Sequence, residues 1–189
     1  MVQSVICELL LFGACLLAVT LSLRAGHYWR GLGLALIGLA ALLGAFHYAG
    51  METVKPLHQA ASSLSGRVSL LLIAAASLVG PARNALLLAL AGVMLWLPAQ
   101  AALAGNVLAL MVIAWKGRSR HWPLAIAGCL LFMAAGLLVG TQGEWLGIPR
   151  LDLFHLTLAL AVGCWLLAGG PPLRQQAEPR TPMRLEKEG

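Results

Sequence analysis

Charge is what this chain of 189 residues has least of: 11% of its residues are charged, against 60% hydrophobic. A soluble domain carries about 25% charged residues, so a water-soluble globule is excluded, in keeping with a mean hydropathy of +0.84. Aspartate is scarcer still, with Asp152 the only one. The four cysteines, Cys7, Cys15, Cys129 and Cys164, have no CxxC spacing and lie inside apolar runs. That excludes a zinc knuckle or a disulfide framework and leaves them as small buried hydrophobes. No basic segment precedes the first apolar run, so residues 4–23 read as a retained helix rather than a cleaved signal. Internal repeats and any separate soluble domain are missing too.

What is present is a series of long apolar runs. A helix needs about 20 such residues to cross a bilayer core roughly 30 Å thick. Segments near 4–23, 31–49, 122–140 and 151–169 qualify directly. The stretch from His58 to Trp115 is broken at "VGPARN" and "WLPAQ". Proline disfavours helix in the residue before it, which divides the stretch into about 58–79, 82–97 and 99–115. The expected fold is therefore an all-α polytopic membrane bundle of seven transmembrane helices, or six if the short middle span fuses with a neighbour. Residues 1–170 form one domain, and 171–189 a Pro-rich, charged tail expected to be disordered.

Charge placement favours seven spans. Arg24, Arg30, Arg83, Lys116, Arg118, Arg120, Arg174, Arg180, Arg184 and Lys187 then fall on one side, ten of the thirteen basic residues. This is the positive-inside pattern, and it accounts for the net charge of +6 without a nucleic-acid partner. It predicts a bacterial cytoplasmic (inner) membrane protein with its N-terminus outside and its C-terminus in the cytoplasm. Trp29, Trp96, Trp115, Trp122 and Trp145 stand near span ends, as interfacial aromatics do.

The few ionisable residues then converge. Glu8 opens span one, His47 ends span two, His58 opens span three, and Asp152 and His155 open span seven. All five reach the same outer end. Ionisable residues at membrane depth mark functional sites. Asp152 and His155, at i and i+3, share one helix face. His47, His58 and His155 form a candidate metal set suited to catalytic zinc. Two of them with Asp152 would serve as well, and Asp152 can alternatively orient a ligand. Glu8 is a candidate general base or a partner for Arg67. The plainer readings are interfacial histidines, Asp152 as an N-cap of the last helix, and Arg67 and Asn106 as polar glue between helices. Ser62 and Ser63, in "SSLSG", supply close packing or touch a substrate.

Seven spans, "LGAFHYAG" late in span two and "LDLFHLTLAL" opening span seven resemble the seven-helix alkaline ceramidase-like superfamily. The likeness covers most of the chain in topology and two short motifs in residues. It implies an intramembrane zinc held by three histidines, beside an Asp and a Ser, and hydrolysis of a lipid amide. His47 and His155 match two of the histidines. Two positions depart from the pattern. Leu43 stands where the family has a serine four residues before the span-two histidine, and Leu151 stands four before His155 in place of HxxxH.

Three functions follow as expectations. One is a zinc-dependent hydrolase of a lipid amide or ester. Another is a non-catalytic lipid-binding or assembly factor whose polar cluster packs helices. The third is a redox protein with haem between His47 and His155.

Overall fold

The computed structural model describes residues 2–76, 82–116 and 121–168. It is almost entirely helical: α1 Val2–Arg24, α2 Tyr28–Tyr48, α3 Lys55–Ala75, α4 Arg83–Trp96, α5 Ala99–Lys116, α6 Trp122–Ala134 and α7 Arg150–Ala168. The tail expected from Pro171 lies outside the described residues. By length and composition, α1, α2, α6 with its extension to Val139, and α7 could each cross a membrane. The helices at α4 and α5 are apolar but shorter in their described apolar part, and α3 is long but is not among the four.

Six of the helices close a ring. Following the contacts around it, α1 packs on α2, α2 on α3, α3 on α5, α5 on α6, α6 on α7, and α7 back on α1. Helix α4 lies outside, packed on α3. The ring is filled by Leu11, Cys15, Leu34, Ile37, Leu70, Ala161, Val162 and Trp165, all buried. Cys7, Cys15 and Cys129 are buried free thiols, in line with the sequence reading, and Cys164 is half-buried. Glycines let α2 sit close to its neighbours: a Cβ at Gly33 would fall 2.6 Å from the Ser69 carbonyl oxygen, and one at Gly38 3.0 Å from Cys15. Small residues at helix contacts bring backbones together in this way.

The break between α4 and α5 has a built-in clamp. Leu97 is extended ahead of Pro98, so the last carbonyls of α4 lose their helical partners. Arg67, from α3, donates to three of them: Met94 at 3.2 Å, Leu95 at 3.3 Å and Leu97 at 2.6 Å. Asn106 of α5 donates to the Gly66 carbonyl at 2.7 Å. The two residues read as polar glue therefore tie α3, α4 and α5 together. Hydrogen bonds from a charged donor contribute about 1.5–3 kcal/mol each, less than additively. Arg67→Met, which keeps the stem and removes the donors, is expected to lower stability by at least about 2 kcal/mol. Thermal unfolding in detergent measures it, and an unchanged midpoint would show that the clamp carries no load.

Helix α6 ends in a π turn, Ala135–Val139, closed by the Gly140 amide on the Ala135 carbonyl at 2.9 Å. A hairpin follows, with Glu144–Trp145 paired to Ile148–Pro149. Its two loop residues, Leu146 and Gly147, both take positive φ, 53° and 77°. That is the type I′ geometry that suits a two-residue hairpin. The Arg150 amide then donates to the Gly143 carbonyl at 3.0 Å and starts α7.

Candidate functional site

Glu8 sits two turns into α1, His58 one turn into α3, and Asp152 and His155 in the first two turns of α7. The alternating direction of the helices brings all of them to one end of the ring. A cavity of about 370 Å³ opens there, lined by Glu8, His58 and His155 together with Ser62, Thr141 and apolar residues that include Leu11, Ile37, Phe132 and Phe154. Thr141 reaches it because the π turn ends α6 just above. Glu8 is fully buried, Asp152 is 1% exposed and His155 9%.

The contacts within the cluster are specific. Nε2 of His155 lies 3.5 Å from Oε1 of Glu8, and the pair lacks hydrogen-bond geometry, because neither Glu8 oxygen has a protein hydrogen-bond partner. His58 Nδ1 is 3.1 Å from the Ala40 carbonyl oxygen. A carbonyl only accepts, so Nδ1 carries the proton, and in the neutral ring Nε2 has the lone pair. Metal-binding histidines are commonly fixed through such a bond. Ser62 Oγ is 3.5 Å from the same Nδ1, which cannot serve as its base while it donates to Ala40. A Cβ on Gly44 would collide with Oε1 of Glu8 and come within 3.0 Å of His58 Cε1. Gly44 therefore makes the room in which Glu8 and His58 approach one another. Its place three residues before His47 in "LLGAFHYAG" was the only sequence signal for it.

Two expected residues stand aside. His47 does not line the cavity. Its Nδ1 is 4.0 Å from Glu52, in the short turn Glu52–Val54 that follows α2, and its ring stacks 6.0 Å from that of His58. Asp152 lies behind the cavity wall, close enough to Glu8 to interact with its charge. Neither oxygen of Asp152 accepts a hydrogen bond from a protein group, so it caps no amide of α7. Among the described residues, no three His, Cys, Asp or Glu side chains are gathered tightly enough to hold a metal as they stand. Glu8 and His155 come within 3.5 Å of each other; two ligands of a tetrahedral zinc, bound at about 2.0–2.2 Å, lie roughly 3.3 Å apart.

The Asp152 carboxylate gives a direct test. Asn has the same shape, and no hydrogen bond to a protein group is lost with it. Asp152→Asn is expected to leave thermal stability at or above wild type. Under the metal-dependent reading proposed below, it is expected to lower metal affinity or turnover about 10–100-fold, as changes beside a ligand do. Unchanged metal content and turnover would leave Asp152 no part in the site.

No family model, known protein or solved structure matches the chain.

Proposed function

We propose that this chain is an integral membrane, zinc-dependent hydrolase of a lipid amide or ester. In this reading all seven helices span the bacterial inner membrane and the site opens toward the outer leaflet, an orientation supported by the distribution of basic residues in the sequence. The observation that carries the chemistry is the 3.5 Å approach of Glu8 to His155, both buried and short of hydrogen-bond partners. Arg67 and Trp165 show how a buried polar group that ties helices together is satisfied here. Arg67 has three carbonyl acceptors, and Trp165 donates to Ala125 at 3.3 Å. Glu8 and Asp152, by contrast, bring four carboxyl oxygens into the core with no protein donor. Burying such groups without partners is costly, and a cation with its water is the simplest recipient of their lone pairs.

His155 and Glu8 would hold the ion, and His58, which lines the same cavity, is the candidate third donor. Zinc supplies Lewis acidity toward the scissile carbonyl and toward water. The second oxygen of Glu8 can take the proton from the attacking water and return it to the leaving group. Asp152 would act on Glu8 through its charge. Ser62 and Thr141 offer hydroxyls to the polar head of the substrate, while Phe132, Phe154 and Leu70 line the apolar part of the cavity. The haem reading draws no support from these contacts, since His155 faces Glu8 and His47 faces Glu52.

Metal analysis of protein purified in detergent, with an assay on fluorogenic long-chain acyl amides and esters, tests the proposal. One zinc per chain is expected, with turnover lost to a chelator and restored by zinc. A metal-free chain with no turnover, or a Soret band, would overturn it.

A further inference from the structure

Helix α3 has the length of a span without the composition. From its first residue as far as Ser69, the residues Lys55, Gln59, Ser62, Ser63, Gly66 and Ser69 share an arc of about 120°, at 100° per residue, and His58 and Ser65 flank it. Leu57, Ala60, Leu64 and Val68 take the other face. The polar stripe runs from the start of the helix to Ser69, about 21 Å at 1.5 Å per residue, some two-thirds of a bilayer core roughly 30 Å thick. At its inner end Ser69 is 1% exposed and its hydroxyl meets that of Ser65 at 3.1 Å. Over the outer half, Gln59, Ser62, Ser63 and Gly66 are exposed, and Ser62 and Gly66 also line the cavity of Glu8 and His155. Glu8 and His155 thus line a cavity whose α3 wall is polar and reaches the surface, while the Glu8 oxygens themselves stay buried beside it.

Hydrocarbon cannot solvate such a wall, and polar surface at membrane depth persists where it lines water. We propose that the polar face of α3 is one wall of a water-filled cleft that connects the bulk phase with Glu8, His58 and His155. The ligand is water itself. The cleft is defined by α3 and the cavity, and it goes beyond the hydrolytic reading without depending on it. If hydrolysis takes place, the cleft delivers the co-substrate and lets the polar product leave. If it does not, the cleft still brings water into the cavity beside Glu8, His58 and His155.

Cysteine accessibility tests it in the full-length protein in lipid nanodiscs, with a permanently charged methanethiosulfonate as probe. Thiols react as thiolates, which form only where water reaches. Gln59→Cys, Ser62→Cys, Ser63→Cys and Gly66→Cys sample the stripe, and Leu64→Cys the opposite face. A Cβ at Gly66 meets nothing within 4 Å, so that variant fits. Wild-type protein supplies the background of the native thiols. Ser62→Cys and Gly66→Cys are expected to react at least about tenfold faster than Leu64→Cys. Equal, slow reaction at these three sites, in variants that melt like wild type and with Gln59→Cys reactive, would overturn the cleft. So would formation of chain-to-chain disulfides at Ser62→Cys or Gly66→Cys, which would show that a second copy covers the stripe. Rapid labelling together with a metal-free, inactive protein would sustain the cleft and remove only the hydrolase.

Discussion

His155→Ala is expected to abolish zinc binding and to reduce turnover by at least about 10²-fold, the scale on which a residue at the reacting centre acts, while the chain still inserts and folds. The span keeps its apolar length without the imidazole, and alanine is the best helix former. His155 gives the fold little in return for its burial: Nδ1 has no protein hydrogen-bond partner, and Nε2 meets only Glu8, at 3.5 Å. What the ring contributes is a donor atom aimed at a carboxylate. The space left by the substitution adjoins an existing cavity, so added imidazole has a route to it. Partial recovery of zinc and turnover with millimolar imidazole is therefore expected, and a merely structural residue would show none. Stoichiometric zinc in His155→Ala would end the assignment of His155 as a ligand.

Much of this architecture is written in the order of apolar runs and prolines. The helices begin and end within a few residues of the segments expected from hydropathy, and Pro98 divides α4 from α5 as its chemistry requires. The joint appearance of Glu8, His58 and His155 at one end follows from counting helices, since each span reverses direction. The sequence reading misses three features, for different reasons. The role of Gly44 depends on what α1 and α3 present to it across the bundle, and a glycine in an apolar run carries no mark of its neighbours. The separation of His47 from the cavity is a matter of rotation about the axis of α2, which depth alone does not fix. The stripe on α3 is a helical period that was there to be read, but its serines suggested close packing because small polar residues serve both ends. Asp152 stands between two readings in the sequence. Its position in the first turn of α7 allows a cap, yet its oxygens accept no hydrogen bond from a protein group.

Glu8→Gln is expected to move stability and function in opposite directions. The amide has the size of the acid, so the close fit against Gly44 is kept. Glu8 is fully buried, with both oxygens unpartnered by protein groups and Asp152 close enough to interact with its charge. An acid so placed costs stability whenever it ionises, and a neutral amide does not carry that cost. The metal-free variant should therefore melt at or above the temperature of metal-free wild type. Function should fall steeply, because an amide is a poor zinc ligand and takes no proton from water. Loss of a positioned acid–base group typically costs about 10²–10⁴-fold in rate. Zinc content, turnover and melting temperature, measured on the same preparation with and without chelator, give the three readings. Wild-type turnover in Glu8→Gln would remove the carboxylate from the chemistry. A large drop in the melting temperature of the metal-free variant would show instead that Glu8 is tied into the fold by a protein donor. A higher melting temperature with zinc and turnover both gone is what a carboxylate held in place for a cation and its water requires.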